Sequence, residues 1–437
     1  MAKKEVKKEN QSRLDKITWP ELDSTDEIVE VLTNSLRDEL DFMYSVGNED
    51  LLDYIKEYVV SYSRQNQLSS MMMKEIIDRM YNSFRGLGVL QPLLDNKNVT
   101  EIMINSYDEV FYELDGQVMK SDIRFENTQK LEDTIQSIVS KVNRVVNESS
   151  PIVDARLEDG SRVNVVLPPV ALKGPAMTIR KFPDKPLDIN DLIRFGALDK
   201  DVGEFLKELV EAKYNIFIGG GTGSGKTTFL NVLTNFIPKD ERIVTIEDSA
   251  ELQVKQIPNI VSMETRNANT QGTGEIPMKE LIKASLRMRP TRVIVGEVRG
   301  AEALDMLQAM NTGHDGSLST GHANSIYDML SRLETMVLSA AELPIPVIRN
   351  QISSAIDIMV HLSRFRDHSR KVVEISEITG IENGEIQLNS LYKFKEEGET
   401  ARGKIIGKLQ RTNNNLQSDT KLYLSGKNDI VEKYRVD

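Results

Sequence analysis

The sequence contains no cysteine, and this absence excludes several kinds of site. Disulfide staples, zinc sites with thiolate ligands and cysteine nucleophiles all require that residue. Histidine is also scarce, with 4 in the whole chain. The lack of cysteine fits a reducing compartment.

Long hydrophobic runs are missing as well. No apolar stretch approaches the roughly 18 residues that cross a bilayer, and no apolar segment of a secretory signal follows the N-terminal lysines. Hydrophobic residues make up 39% of the chain and charged residues 28%, which is ordinary for a globular protein. We therefore expect a cytoplasmic protein without a transmembrane segment.

Basic residues are too few for a general nucleic-acid binder. The chain has 55 lysines and arginines against 67 acidic residues, a formal net charge of −12. Neutralisation of phosphates supplies most of the non-specific affinity for nucleic acid. We expect no direct nucleic-acid partner.

Length and hydrophobic periodicity predict the domain organisation. A chain of 437 residues indicates two or three domains, at ~100–200 residues each. The apolar spacing is helical at first, then strand-like, and finally alternates between strands and helices, which is typical of an α/β domain with a parallel-rich sheet. The predicted segments are a polar tail (1–25), a helical N-terminal extension (26–90), an α+β N-terminal domain (91–183), a proline-containing linker (184–187), an α/β domain (188–375), and C-terminal strands with a polar tail (376–437).

Residues 220–227 read Gly-Gly-Thr-Gly-Ser-Gly-Lys-Thr and match the full phosphate-loop pattern. An apolar strand precedes them and an apolar helix follows, which is the context that the pattern requires. Glycines let backbone N–H groups converge on phosphate oxygens, Lys226 neutralises the β and γ phosphates, and Thr227 offers a hydroxyl to Mg²⁺. The pattern predicts ATP and Mg²⁺ as cofactors. The predicted nucleotide-binding residues are Gly220, Gly221, Thr222, Gly223, Ser224, Gly225, Lys226, Thr227 and Thr228.

A second, partial match to this pattern occurs at residues 398–404. Ile405 stands where the hydroxyl for Mg²⁺ is required, and Glu399 would repel phosphate. No apolar strand precedes the segment, so we predict a polar loop there.

Carboxylates follow two of the predicted strands. Glu297 comes directly after one strand, and Glu247 and Asp248 close another. Because the carboxyl ends of parallel strands meet at one edge of the sheet, these side chains lie where ligands bind. We assign the polarisation of the attacking water to Glu247, and metal binding to Asp248 and Glu297 together with Thr227.

Two histidines lie in a segment rich in glycine, serine and threonine, residues 312–324. His314 and His322 are candidates for sensing the γ phosphate, although a buried or solvated structural histidine is the commoner case. Their spacing of eight, without further ligands nearby, argues against a metal site.

These motifs together resemble the secretion ATPase superfamily of type II and type IV secretion and type IV pilus machines. Four signatures appear in order: the phosphate loop, residues 245–251 (similar to the aspartate box), residues 286–299 (similar to the Walker B region) and residues 312–322 (similar to the histidine box). The resemblance covers roughly residues 80–375. Residues 86–94 and 99–105 most resemble the CpaF ATPases of Tad (Flp) pilus systems.

The resemblance implies a RecA-like P-loop motor domain behind the N-terminal domain, assembled as a homo-oligomeric ring, usually a hexamer. It implies that Arg162 and Arg180, with Arg156, reach the γ phosphate, and that His314 and His322 act as sensors. The implied partner is an inner-membrane platform protein, with the ATPase attached peripherally to the inner face of that membrane.

The leading hypothesis is an ATP-hydrolysing ring motor for pilus assembly or protein secretion. One alternative is a non-motor nucleotide switch such as a GTPase, although the base-reading Asn-Lys-x-Asp motif is missing. The other is a conjugation-type ATPase for DNA or protein transfer, which the acidic balance does not exclude.

Overall fold

The computed structural model describes residues 14, 17–40, 48–85, 87–114, 116–141, 145–157, 159–182, 186–266, 268, 272–401 and 403–436. The chain forms two compact units, Met1–Asp184 and Lys185–Asp437. Residues 183–185, within or beside the predicted linker, lie outside the described set. Within the described residues no helix combines the length and the apolar character of a bilayer-spanning segment.

The first unit begins with three amphipathic helices, α1 (Thr25–Leu40), α2 (Asn48–Gln65) and α3 (Ser70–Arg85). Trp19, from the segment predicted as a polar tail, is 6% exposed and packs into this bundle, where its indole N–H donates to Ser61 Oγ at 3.1 Å. Residues 1–13, 15 and 16 of that tail lie outside the described residues. The apolar faces meet in one core that includes Leu32, Leu36, Ile55, Val59, Ile76 and Met80.

A six-stranded antiparallel sheet follows in the same unit. Its strands are β1 (Val99–Ser106), β2 (Glu109–Leu114), β3 (Gln117–Lys120), β4 (Ile152–Arg156), β5 (Arg162–Val166) and β6 (Ala176–Arg180), in the order β3-β2-β1-β6-β5-β4. A short helix, α4 (Gln91–Asp95), precedes the sheet, and α5 (Thr128–Lys141) separates its two halves. β4 and β5 pair as a hairpin, and its turn includes Gly160 with a φ of +90°.

The second unit is built on a nine-stranded sheet in the order β15-β14-β13-β12-β7-β11-β10-β8-β9. The strands β7, β8, β9, β10, β11 and β12 pair in parallel, and β13, β14 and β15 extend the sheet antiparallel. Their bounds are β7 (Ile216–Gly220), β8 (Ile243–Glu247), β9 (Ile260–Glu264), β10 (Arg292–Val295), β11 (Leu318–His322), β12 (Ile358–Arg364), β13 (Arg370–Glu382), β14 (Glu385–Glu399) and β15 (Ile405–Arg411).

Helices cover both faces of this sheet, because its central strands are apolar on both sides. One hydrophobic core includes residues of α6 (Ile189–Arg194), α7 (Lys200–Glu211) and α8 (Lys226–Thr234), and the other includes residues of α9 (Met278–Ser285), α10 (Glu302–Asn311), α11 (Ile326–Ala340) and α12 (Ile345–Ala355). The predicted α/β fold with a parallel-rich sheet, behind an α+β domain and a helical extension, is confirmed. The predicted polar loop at residues 398–404 lies where β14 turns into β15.

The C-terminal segment packs on the second unit. It contains α13 (Thr420–Leu424) and α14 (Asn428–Lys433). Glu377, fully buried on β13, accepts hydrogen bonds from Gln417 N at 2.9 Å and Ser418 N at 2.6 Å. Lys421 donates to Asp357 at 2.7 Å, and Lys427 pairs with Glu208 of α7. Buried charge and specific ion pairs hold this segment in place.

A buried ion pair supports the amino end of β10. Arg292, with no exposed surface, donates to both carboxylate oxygens of Glu241 at 2.6 and 2.8 Å and to Val210 O at 2.6 Å. A Cβ on Gly316 would come within 2.5 Å of the guanidinium, so only glycine leaves it room.

We expect Arg292→Met to lower the free energy of unfolding by about 3–5 kcal/mol, because it leaves the Glu241 carboxylate buried without its partner. Urea unfolding followed by circular dichroism measures the change. The double variant Arg292→Met, Glu241→Met removes both charges and should recover most of the loss. A single variant as stable as wild type would contradict the assigned role of the pair.

Candidate functional site: a phosphate loop at the carboxyl edge of the sheet

The segment between β7 and α8 forms a tight, glycine-dependent turn. Gly220 closes the buried strand, and a Cβ there would meet Ser224 Oγ at 2.5 Å and Leu362 O at 2.6 Å. Gly223 and Gly225 have φ of +72° and +93°, in the left-handed region that favours glycine. Helix α8 starts directly after Gly225. The turn therefore presents backbone N–H groups and a helix N-terminus to one point, which suits an anion.

Lys226 is the cation of this turn and is 7% exposed. Its Nζ lies 3.2 Å from Gly221 O and 3.1 Å from His322 Nδ1. Burial lowers the pKa of Lys226, and Arg299 adds to the shift while Glu297 opposes it. A bound phosphate would favour the charged form, so the lysine is suited to contact an anion.

His322 connects the lysine to a carboxylate. Because Nδ1 receives the Lys226 ammonium, the ring proton belongs on Nε2, which lies 2.8 Å from Glu297 Oε1. The contact is short but poorly aligned, and Glu297 Oε1 makes no hydrogen bond within the described residues. Burial lowers the pKa of His322, as do Lys226 and Arg299, and Glu297 opposes the shift. The neutral ring can therefore relay a contact between cation and carboxylate.

Arg299 is a site residue to which the motifs alone assigned no role. Its Nε and Nη2 donate to Glu297 Oε2 at 2.9 and 2.7 Å, and its Nη1 lies 3.6 Å from Asp248 Oδ2. The contact with Glu297 is local, because the two residues are two positions apart in the sequence. The contact with Asp248 exists only because β8 and β10 are neighbours in the sheet. The guanidinium thus bridges two of the predicted acidic residues.

Glu247 lies at the same edge but is only 3% exposed. Its Oε1 accepts hydrogen bonds from Glu251 N at 2.8 Å and Leu252 N at 3.1 Å. Its side chain also packs so closely on Gly296 that a Cβ there would approach Glu247 Cγ to 2.9 Å. In this arrangement Glu247 holds the loop after β8.

The acidic residues fit Mg²⁺ chemically. Glu297 and Asp248 both approach one cation, the Arg299 guanidinium. Thr227, which could offer a hydroxyl to the metal, is the second residue of α8 and follows Lys226. No group of three or more metal-ligating side chains occurs within the described part of the chain. Proteins usually hold Mg²⁺ through one or two carboxylates plus substrate phosphates. When bound, Mg²⁺ would neutralise charge on the β and γ phosphates.

The structure does not bring His314 to this site. His322 ends β11 next to Gly220, whereas His314 precedes the amino end of the same strand, roughly 15–20 Å away at ~3.3 Å per residue. His314 Nδ1 lies 3.1 Å from Ala309 O at the end of α10. Within this unit β11 separates His314 from the phosphate loop, and its role as a sensor stays a prediction.

The predicted arginines form a row in the first unit. Across three antiparallel strands Arg156 pairs with Arg162, and Arg162 pairs with Arg180, so the residues lie on one face of the sheet. Glu101 continues the row beyond Arg180. Burial raises the pKa of Glu101, and Arg180 opposes the shift. Directly opposed like charges on neighbouring strands repel, and the contact of this row with the γ phosphate stays a prediction.

A glycine-rich turn, a buried lysine at a helix N-terminus and carboxylates at the ends of neighbouring parallel strands define a P-loop nucleoside triphosphatase. Residues 84–419 match the model of the family described as type II/IV secretion system protein. The chain belongs to that family, and it is an ATPase.

Curated relatives agree with this assignment, and a solved structure shares the fold. A putative conjugal transfer protein of Mycobacterium tuberculosis is 34% identical over 297 residues, covering 67% of this chain and 84% of that protein. An uncharacterized protein of Methanocaldococcus jannaschii is 40% identical over 311 residues, which cover 69% of this chain and 42% of that protein. The crystal structure of the pilus retraction motor PilT with bound ADP has a TM-score of 0.50 and 17% identity, covering 80% of this chain and 90% of that one, and shares the fold.

Proposed function

We propose that this ATPase is the ring motor of a Tad (Flp)-like type IV pilus or a related protein-secretion machine. The observation that carries the proposal is the chain of contacts from Lys226 through His322 to Glu297, which joins the phosphate loop to the acidic edge of the sheet. Through this link, a change in the phosphates bound by Lys226 can change the contacts that Glu297 makes with His322 and Arg299. The proposed assembly is a hexamer that works against an inner-membrane platform protein.

In this proposal the triphosphate of ATP lies in the turn formed by residues 220–228. Backbone N–H groups and the Lys226 ammonium bind the phosphate oxygens. Thr227, Glu297 and Asp248 would hold Mg²⁺ or its water shell. The arginine row, Arg156, Arg162 and Arg180, is proposed to supply the cationic charge that stabilises the transferred phosphoryl group.

The sequence assigned the attacking water to Glu247, and the contacts favour Glu297 for that role. Glu247 already accepts two backbone N–H groups, whereas Glu297 Oε1 faces His322 without an aligned hydrogen bond. We expect Glu297→Gln to lower kcat by roughly 10²- to 10⁴-fold, the usual contribution of a general base. Nucleotide binding, measured with a fluorescent ATP analogue, should be retained.

Glu247→Gln is the matched control, since glutamine keeps an oxygen that accepts the N–H groups of Glu251 and Leu252. We expect it to keep most of the activity. If kcat falls more in Glu247→Gln than in Glu297→Gln, Glu247 is the residue that polarises the attacking water.

A conjugation-type role is the second candidate, because several relatives are named as conjugal transfer proteins. Deletion of the gene, complemented with wild type or Lys226→Ala, distinguishes the two. Loss of surface pili or secreted protein supports the proposal. Loss of DNA transfer alone, or stimulation of hydrolysis by single-stranded DNA, would favour conjugation. Hydrolysis of GTP in preference to ATP would instead indicate a nucleotide switch.

A further inference from the structure

The turn between β12 and β13 places two arginines against the phosphate loop. We call residues 364–370 the tip hairpin. Arg364 ends β12 and Arg370 begins β13, and the two residues are directly opposite each other in the ladder. Both side chains are exposed. They belong to the antiparallel part of the sheet, outside the four sequence signatures.

Both arginines lie beside the left-handed glycines of the phosphate loop. Arg370 Nε donates to Gly223 O at 2.8 Å. Arg370 Cδ lies 3.4 Å from the position of a Cβ on Gly225, and Arg364 Nη1 lies 3.5 Å from the equivalent position on Gly223. The arginine side chains therefore line the space that the two glycines leave open.

The Arg370 contact determines which way one loop peptide points. In a trans peptide the C=O of one residue and the N–H of the next point in opposite directions. Ser224 N points to Gly221 O at 3.3 Å, the oxygen that also receives Lys226 Nζ, so it faces the inside of the turn. With Gly223 O held by Arg370 on the outer side, the Ser224 N–H stays on the inner side of the turn, where Gly221 O is its acceptor.

The two guanidinium groups also bring positive charge to the loop. Directly opposed like charges on neighbouring strands repel. Arg364 Nη2 contacts His368 Nδ1 at 3.1 Å, and within the described ranges neither Arg364 nor Arg370 forms an ion pair with a carboxylate. A bound polyphosphate would relieve this repulsion.

The neighbouring strands brace the tip hairpin. Arg366 pairs with both Glu396 and Glu399 of β14. Asp367 Oδ2 accepts a hydrogen bond from Ile405 N, at the start of β15, at 2.9 Å. Because Arg366 and Asp367, in the turn of the tip hairpin, are held by β14 and β15, the hairpin can keep Arg370 at a defined place.

We propose that Arg370 is a positioning residue for the phosphate loop and that Arg364 adds electrostatic attraction for the nucleotide. The C-terminal strands β13, β14 and β15 then serve as the support of the nucleotide site. This inference rests on the proposed binding of ATP by the phosphate loop.

The test compares Arg370→Gln, Arg370→Lys and Arg364→Gln in the full chain, with Lys395→Gln as control because it removes one exposed charge from the same part of the sheet. Affinity for a fluorescent ADP analogue with Mg²⁺, kcat and KM for ATP, and hydrogen exchange of residues 221–228 are measured. We expect Arg370→Gln to weaken binding about 10-fold, as for loss of a charge-assisted hydrogen bond. Exchange in the loop should accelerate, with kcat changed less than KM.

The other variants separate geometry from charge. Arg370→Lys, which keeps the charge without the guanidinium fork, should restore only part of the affinity. Arg364→Gln should weaken binding mainly at low salt, because exposed charges are screened. Lys395→Gln should behave as wild type.

Wild-type affinity and loop exchange in Arg370→Gln would overturn the inference, as would weaker binding with unchanged loop exchange. Lys226→Ala distinguishes this failure from failure of the proposed function. If Lys226→Ala abolishes binding while Arg370→Gln does not weaken it, only the role of the tip hairpin is wrong. If Lys226→Ala binds nucleotide normally, the phosphate loop itself is not the site.

Discussion

Replacement of Lys226 by alanine is expected to reduce ATP hydrolysis by about 10²- to 10³-fold, as for removal of one preorganised group that stabilises transition-state charge. The physical reason is that Lys226 is the buried cation within the glycine turn, held at 3.2 Å from Gly221 O and 3.1 Å from His322 Nδ1. Its removal leaves the helix N-terminus without the ammonium that neutralises the β and γ phosphates. Release of phosphate by the purified protein measures the effect.

Lys239→Ala is a suitable control for that experiment, because Lys239 is an exposed lysine of the same unit. Lys226→Met, which keeps the aliphatic volume, separates loss of charge from loss of packing. Turnover at the wild-type rate in both Lys226 variants would exclude the turn as the catalytic phosphate site.

The second large effect is expected from the arginine row. Arg162→Ala should lower kcat by about 10³-fold, the lower end of what arginine fingers contribute in phosphoryl transfer, with a smaller change in KM. Arg162 lies between Arg156 and Arg180 in the ladder, on the opposite face from the buried Val163. The substitution therefore removes charge without opening a cavity in the core.

Arg124→Ala removes an exposed arginine of the same unit and serves as the matched control. The thermal midpoint of Arg162→Ala should stay close to that of wild type, which separates a catalytic loss from a folding defect. Full ATPase activity in Arg162→Ala and Arg180→Ala would show that the row has no part in hydrolysis.

The phosphate loop and the sheet around it were predictable from local sequence. The strand predicted before Glu297 forms β10 (Arg292–Val295), and Lys226 begins the helix after the glycine turn. Periodicity and glycine placement report on a few consecutive residues, so they identify such elements well. The alignment of Glu247 and Glu297 at one edge followed from the rule that parallel strands end together.

Contacts between distant segments were not predictable in this way. Arg299 reaches Asp248 only because β8 and β10 are neighbours, and His314 is separated from the phosphate loop by the length of β11. Arg370 reaches Gly223 across 147 residues. A pattern of residue types contains no information on which strands pair, so these relations required the fold.

The sequence by itself determined that this chain has a phosphate-binding turn, a parallel-rich α/β domain and acidic residues at strand ends, because each depends on local backbone preference and short-range order. Only the tertiary structure decided that Lys226, His322, Glu297 and Arg299 form one connected chain and that the C-terminal strands support the loop. Those contacts join segments far apart in sequence, and their geometry is determined by the order of strands in the sheet.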